Sequence, residues 1–325
     1  MAKRRGPHFS RPKQLLIGTL AILAVIMPVE SGLGQASNER DWEKAAGEKM
    51  KFEVASVRLN PGPMEPPNFR LSPDDAYGET GGLLTADFAL ENYIEFAYKI
   101  WPTREQSQAI FGHLSRWVQT DNYQIRARAA ITNPTKDQMR LMMQSLLKER
   151  FGLVVHFETQ ETPVLEMTLM RPGTLGPQLH RHEDGPACEV NVTPIAGAER
   201  KAADIFPSQC GGIEAVPGPN QTLLMGSRDT TMGMIAKSLS IGRLSRPVVD
   251  ATGLSGKYDF TLHWTRDADS FRPEGPPASQ DGAVSAAQGT PFLDALKEQL
   301  GLRLKPGKAP MKVLVIDHVE RPSEN

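Results

Sequence analysis

With 325 residues, 39% of them hydrophobic and 23% charged, the chain has an ordinary globular composition sufficient for one or two domains. The net charge of −1 hides an asymmetry, because residues 1–36 carry Lys3, Arg4, Arg5, Arg11 and Lys13 against Glu30 alone, a balance of +4 that leaves −5 for the rest. A mildly acidic body argues against nucleic acid as the partner.

In chain order, residues 1–36 read as a secretory signal. A basic stretch precedes about fifteen apolar residues and then small residues ending at Gly34-Gln35-Ala36. The apolar run is short for a membrane span, so cleavage is favoured, and membrane contact is expected only through this segment if it stays uncleaved. Residues 37–51 are polar and charged and read as a loose, flexible leader or a short helix. Phe52–Arg58 alternates like a half-buried strand, residues 60–82 form a long Pro/Gly/Asp-rich loop, and Leu83-Leu84-Thr85 resumes a strand. Asp87 is the expected cap of a helix with the stripe Leu90, Tyr93, Ile94, Ala97 and Tyr98, ended by Pro102. Residues 121–127 are another strand.

Thr135 with Gln138 makes a capping box, and Met139, Met142, Met143, Leu146 and Leu147 form one apolar stripe up to the stop at Gly152. Methionines at helical spacing are read as core rather than as a copper box. Two strands are expected to follow, up to Leu169. Residues 172–222 form a Pro/Gly-rich connector holding both cysteines. In an exported chain an even count favours the disulfide Cys188–Cys210, which would stabilise by roughly 3 kcal/mol on the loop-entropy argument.

The order then repeats. A short strand at 223–225, a cap at Asp229 or Thr230, and the stripe Met232, Ile235, Ala236 and Leu239 lead through Arg246–Asp250 to the strand Lys257–Trp264. Residues 266–290 are a low-complexity insertion, expected to be mobile. Thr290 caps the last helix, Pro291 opens it, Phe292, Leu293, Leu296 and Leu300 form its stripe, and Gly301 stops it. Leu147-Lys148-Glu149 and Gly152-Leu153 match Leu296-Lys297-Glu298 and Gly301-Leu302. The expected fold is therefore α+β: two similar halves, 52–171 and 223–325, related by internal duplication. Each is an antiparallel sheet with two helices packed on one face.

Five blocks in order carry a family resemblance. They are Phe52–Val57, Leu146–Leu153, Arg246–Leu254, Lys257–Leu262 and the terminal Val315–Asn325. Over about residues 50–325 the chain resembles a secreted soil-bacterial family, expanded in acidobacteria of the Solibacter type and defined by a domain of unknown function. The resemblance implies no activity. Related domains are fused to membrane zinc peptidases of the penicillin-sensing type, which implies sensing or protein contact. This chain has no His-Glu-x-x-His, and it departs from the family where Gly-Gly-Pro ordinarily precedes the Trp matched by Trp117.

No nucleophile elbow or phosphate-cradling Gly loop occurs. The cluster His180, His182, Glu183, Asp184 and Cys188 fits no zinc spacing, so neither a metal nor a cofactor is expected. The binding candidates are Asp250, Tyr258, Asp259, Trp264 and His318; Tyr258 and Trp264 read equally well as core. The expected function is an exported, non-catalytic binding or interaction module, periplasmic or extracellular, for an unknown protein or small-molecule ligand. The alternative is an extracytoplasmic hydrolase using Asp and His side chains between the halves.

Overall fold

The computed structural model describes residues 1, 41–47, 49–78, 80–185, 188, 209–219, 221–240, 244, 246–265 and 290–322. The expected signal segment beyond Met1 and the insertion up to 289 lie outside them. The described residues from Asp41 onward fall within one compact unit.

After α1 (Asp41–Ala46), β1 (Phe52–Asn60) and β2 (Leu83–Ala89) come three helices, α2 (Leu90–Ala97), α3 (Arg104–Phe111) and α4 (Trp117–Thr120), and then β3 (Asn122–Ala129). The three strands form an antiparallel sheet in the order β1-β3-β2. Alternation sets its faces: Tyr123, Ile125, Ala127 and Ala129 of β3 all point into the core. The α2 stripe and the methionine stripe of α5 (Lys136–Phe151) cover that face. Thr135 and Gln138 make the reciprocal capping box, and Gly152 ends α5 at φ 57°, where a residue without Cβ is least strained.

A second sheet has the order β5-β9-β7-β6, from β5 (Leu179–Arg181), β6 (Ile213–Pro217), β7 (Thr222–Thr230) and β9 (Tyr258–Thr265). Its core receives α6 (Met232–Leu239), α7 (Phe292–Ala295) and the π-helical turn Leu296–Leu300. Gly301 closes that turn at φ 68°.

Two long strands join the cores. β4 (Val154–Leu169) pairs along its whole length with β10 (Leu302–His318), and the short parallel strand β8 (Val248–Asp250) adds to one end of β4. Leu314 and Ile316 of β10 enter the core under the first sheet, whereas Met167 and Leu169 of β4 enter the other. Each core thus takes a strand end from the other half of the sequence.

Several local expectations are corrected. Residues 154–169 are one strand, not two. Pro163, Pro306 and Pro310 are accommodated because this stretch of the ribbon has open edges that demand no further N–H donors. Asp87 lies inside β2, and the α2 cap is Ala89 without a side-chain bond; the Asp87 carboxylate instead accepts from Asn60 and the Glu65 N–H. Thr231, not Asp229 or Thr230, caps α6, because the β7 pairing runs through Thr230. Pro291 is the cap of α7 rather than its first residue, and Leu293, at the edge of the stripe, is exposed. The connector also supplies β5 and β6, with Leu179 and Ile213 buried.

Candidate functional site

The stretch 67–77, sequence PNFRLSPDDAY, has no regular secondary structure yet is pinned at every turn. Asn68 and Thr85 exchange two hydrogen bonds, and Phe69 is buried edge-on against Tyr77 and Phe96. Asp74 is fully buried. Its carboxylate accepts from Lys136 Nζ at 2.9 Å, Ser72 Oγ at 2.7 Å and the Ile213 N–H at 3.3 Å. The Arg140 guanidinium is also fully buried. Through Nη2 it donates to the backbone oxygens of Ser72, Pro73 and Asp74, and through Nη1 to Asp137. Asp75 pairs with Lys99 at 2.7 Å, and its N–H donates to Gly211 O. The loop is therefore tied to α5 on one side and to the strand after Cys210 on the other.

Burial by itself would raise the Asp74 carboxyl, but the Lys136 charge and the Ser72 and Lys136 hydrogen bonds outweigh it, so the group sits below its ordinary value. Asp75 is likewise lowered, with Lys99 overcoming burial. For Lys136 burial wins over the attraction of Asp74 and brings the ammonium down to about 8. Both carboxyls hold their protons less tightly folded than unfolded, so the stability they contribute is complete above their unfolded value near 3.8 and is lost as pH falls through the lower folded value. Urea titrations at descending pH should accordingly show stability declining once the pH drops below about 4. Unchanged stability down to about pH 2 would contradict the assignment.

The outer side of the same loop walls an open hollow of about 310 Å³ with Arg70, Leu71, Ser72, Phe88, Asn92 and Glu95 on its lining. Glu95, on α2, has no hydrogen-bond or ion-pair partner among the described residues for its carboxylate. Burial first, and the Glu91 charge second, raise it to about 7. A carboxyl raised by burial in a concavity is a candidate for meeting a ligand. Sequence reasoning passed Glu95 over, since one acidic residue on the polar side of an amphipathic helix carries no distinguishing signal.

The sequence candidates are dispersed. Tyr258 and Trp264 stand in the second core, Tyr258 donating to Ser255 O and Trp264 packing edge-on against Phe292. Asp250 accepts from the Thr252 N–H and hydroxyl, which closes the turn after β8. His318 is exposed and lies opposite Val154, whereas Asp250 lies opposite Met167 at the far end of β4, roughly 40 Å along the strand. Only Asp259 belongs to a polar cluster. His182 Nδ1 donates to it at 2.7 Å, the Asp229 N–H at 2.9 Å, and Arg228 Nε lies 3.5 Å away. Beside this group is the disulfide Cys188–Cys210. Among the described residues no three His, Cys, Asp or Glu side chains are placed to hold a metal ion, and no helix is long and apolar enough to cross a membrane.

Comparison with curated proteins found no match, nor did comparison with solved structures. A family model, described as a protein of unknown function (DUF3738), matches residues 91–319, a span that takes in Glu95, the α5 charges and both cysteines. The chain belongs to that family.

Proposed function

We propose that the protein is an exported, non-catalytic binding module that receives an exposed side chain of a partner protein or peptide in the hollow over α2. The observation that carries this reading is the Glu95 carboxyl, without a partner among the described residues and raised to about 7 within a lining of mixed polar and apolar groups. Near neutrality it can donate a hydrogen bond when protonated or accept one when ionised. Arg70 and Asn92 add polar groups to the lining, and Leu71 and Phe88 offer an apolar wall. An open concavity at the lower end of ligand-pocket volumes suits an anchor residue better than an engulfed metabolite. The hydrolase alternative gains no support from Asp250 and His318 lying at opposite ends of β4.

Two further readings belong with this one. Export is supported by the disulfide and by the basic-then-apolar start of the sequence, and cell fractionation that finds the protein in the cytoplasm would end it. Internal duplication is supported by corresponding strand orders, β1-β3-β2 and β5-β9-β7, with α2 following β2 and α6 following β7. An experimental structure in which 83–169 and 222–318 fail to superpose would remove it. The acidobacterial affiliation and the kinship with peptidase-fused sensors remain parts of the same proposal.

The binding reading is tested by amide NMR of the full chain titrated with a library of short peptides. Shifts clustered on 67–72 and 88–95, weakened by Glu95→Ala, are expected. Binding that maps elsewhere, or is indifferent to Glu95→Ala, would overturn the site.

A further inference from the structure

The disulfide is not an isolated staple. Cys188 Sγ lies 3.8 Å from His182 Nε2, and His182 Nδ1 donates to Asp259 at 2.7 Å. An ionised carboxylate can only accept, so the proton between them sits on Nδ1, and Nε2 is the nitrogen turned toward sulfur. Asp259 is itself held. The β7 ladder shifts between Ser227 and Thr230, Asp229 adopts φ 53°, and its N–H is thereby aimed at Asp259 Oδ1. The chain carrying Cys210 is fixed to the same strand, since the Gly211 N–H donates to Arg228 O at 2.7 Å. Both cysteines are only half-buried.

We propose that Cys188–Cys210 is a thiol–disulfide exchange site, with Cys188 as the activated sulfur, His182 as its proton partner and Asp259 as the residue that positions His182. A thiolate of an incoming dithiol attacks Cys210 Sγ and forms a mixed disulfide. The proton of the attacking thiol passes to His182 Nε2, the Cys188–Cys210 bond breaks, and its electron pair leaves on Cys188 Sγ, which takes that proton from the His182 imidazolium. The second thiol of the dithiol then displaces Cys210 as thiolate, which is protonated. The dithiol departs as a disulfide, and two electrons and two protons have passed to the protein. The arrangement favours Cys188 over Cys210 because only Cys188 has an imidazole nitrogen facing it among the described residues. Among the described residues the other charges around the pair are Arg228 and Asp229 of β7, Lys257 before β9, and Arg181, Glu183 and Asp184 beside His182. Lys257 is drawn to Asp229, and Arg181 lies over the Tyr258 ring.

The test reduces the full-length protein with dithiothreitol, then alkylates with iodoacetamide across pH and follows each cysteine by peptide mass spectrometry. Cys188 should react with a midpoint at least about one pH unit below that of an ordinary thiol near 8.5, and roughly tenfold faster than Cys210 at about pH 6.5. His182→Gln should return the Cys188 midpoint to the ordinary range, and Asp259→Asn should move it part of the way. The wild-type comparison stands without any variant, so a misfolded variant does not rescue the idea. Equal midpoints near the ordinary value for both cysteines, or a Cys188 preference that survives His182→Gln in a folded protein, would overturn it.

Discussion

Asp74→Ala is expected to lower stability by about 3–5 kcal/mol in urea denaturation near neutral pH, the range for breaking a buried pair from one side. The reason is topological as much as electrostatic. Asp74 accepts at once from α5, through Lys136, and from the Ile213 N–H at the start of β6, so its loss frees the loop from both. Lys136, 4% exposed, is left without its main counter-ion, with Arg140 adding repulsion. Because burial already holds Lys136 near 8, it can shed its proton, which limits the cost toward the lower end of the range. Replacing both partners with apolar residues, Asp74→Leu with Lys136→Met, should recover a substantial part. If the single substitution cost no more than a surface change, within about 0.5 kcal/mol, the loop would not be pinned as described.

Gly176→Ala is the second large effect, expected at about 3 kcal/mol with no gain from neighbouring rearrangement. A Cβ there would sit 2.4 Å from Gln299 O, Gly301 N and Leu300 C, all main-chain atoms at the end of the π-helical turn. None can yield as a flexible side chain would. The same approach lets the Gly176 N–H donate to Leu300 O and the Gln178 N–H to Gln299 O, satisfying carbonyls that a helix terminus leaves open. The substitution should therefore lose packing and capping together, and thermal unfolding would register it. A melting temperature within a degree or two of the parent would contradict the close approach.

These two positions show what the sequence makes legible and what it conceals. The Thr135–Gln138 capping box, the stops at Gly152 and Gly301, and the buried methionine stripe follow from interactions within a few residues, so spacing suffices to read them. The pairing Cys188–Cys210 follows from there being only two cysteines. Asp87 and Thr290 misled because a capping residue type is also an ordinary strand or loop residue, and tertiary pairing decided between the uses. The union of β4 and β10 brings together strands from the two halves, beyond the reach of any local pattern. The loop site is harder still. Asp74 reads as loop chemistry, and Arg140 as a charged flank of α5. Glu95 is set apart only by what surrounds it once Arg70, Ser72 and Phe88 have been brought over α2. Gly176, in Leu175-Gly176-Pro177, reads as a turn and gives no hint of the helix end against it.

The proposed binding role depends on the state of one carboxyl, and carbon-detected NMR of protein labelled at the glutamate side-chain carboxyl observes it directly. With Glu95→Gln identifying the signal, the Glu95 resonance should titrate with a midpoint of about 7 in the folded protein. A midpoint at the ordinary glutamate value of 4.5 would mean that the group is solvated or paired, and the hollow would lose its claim to be the binding site.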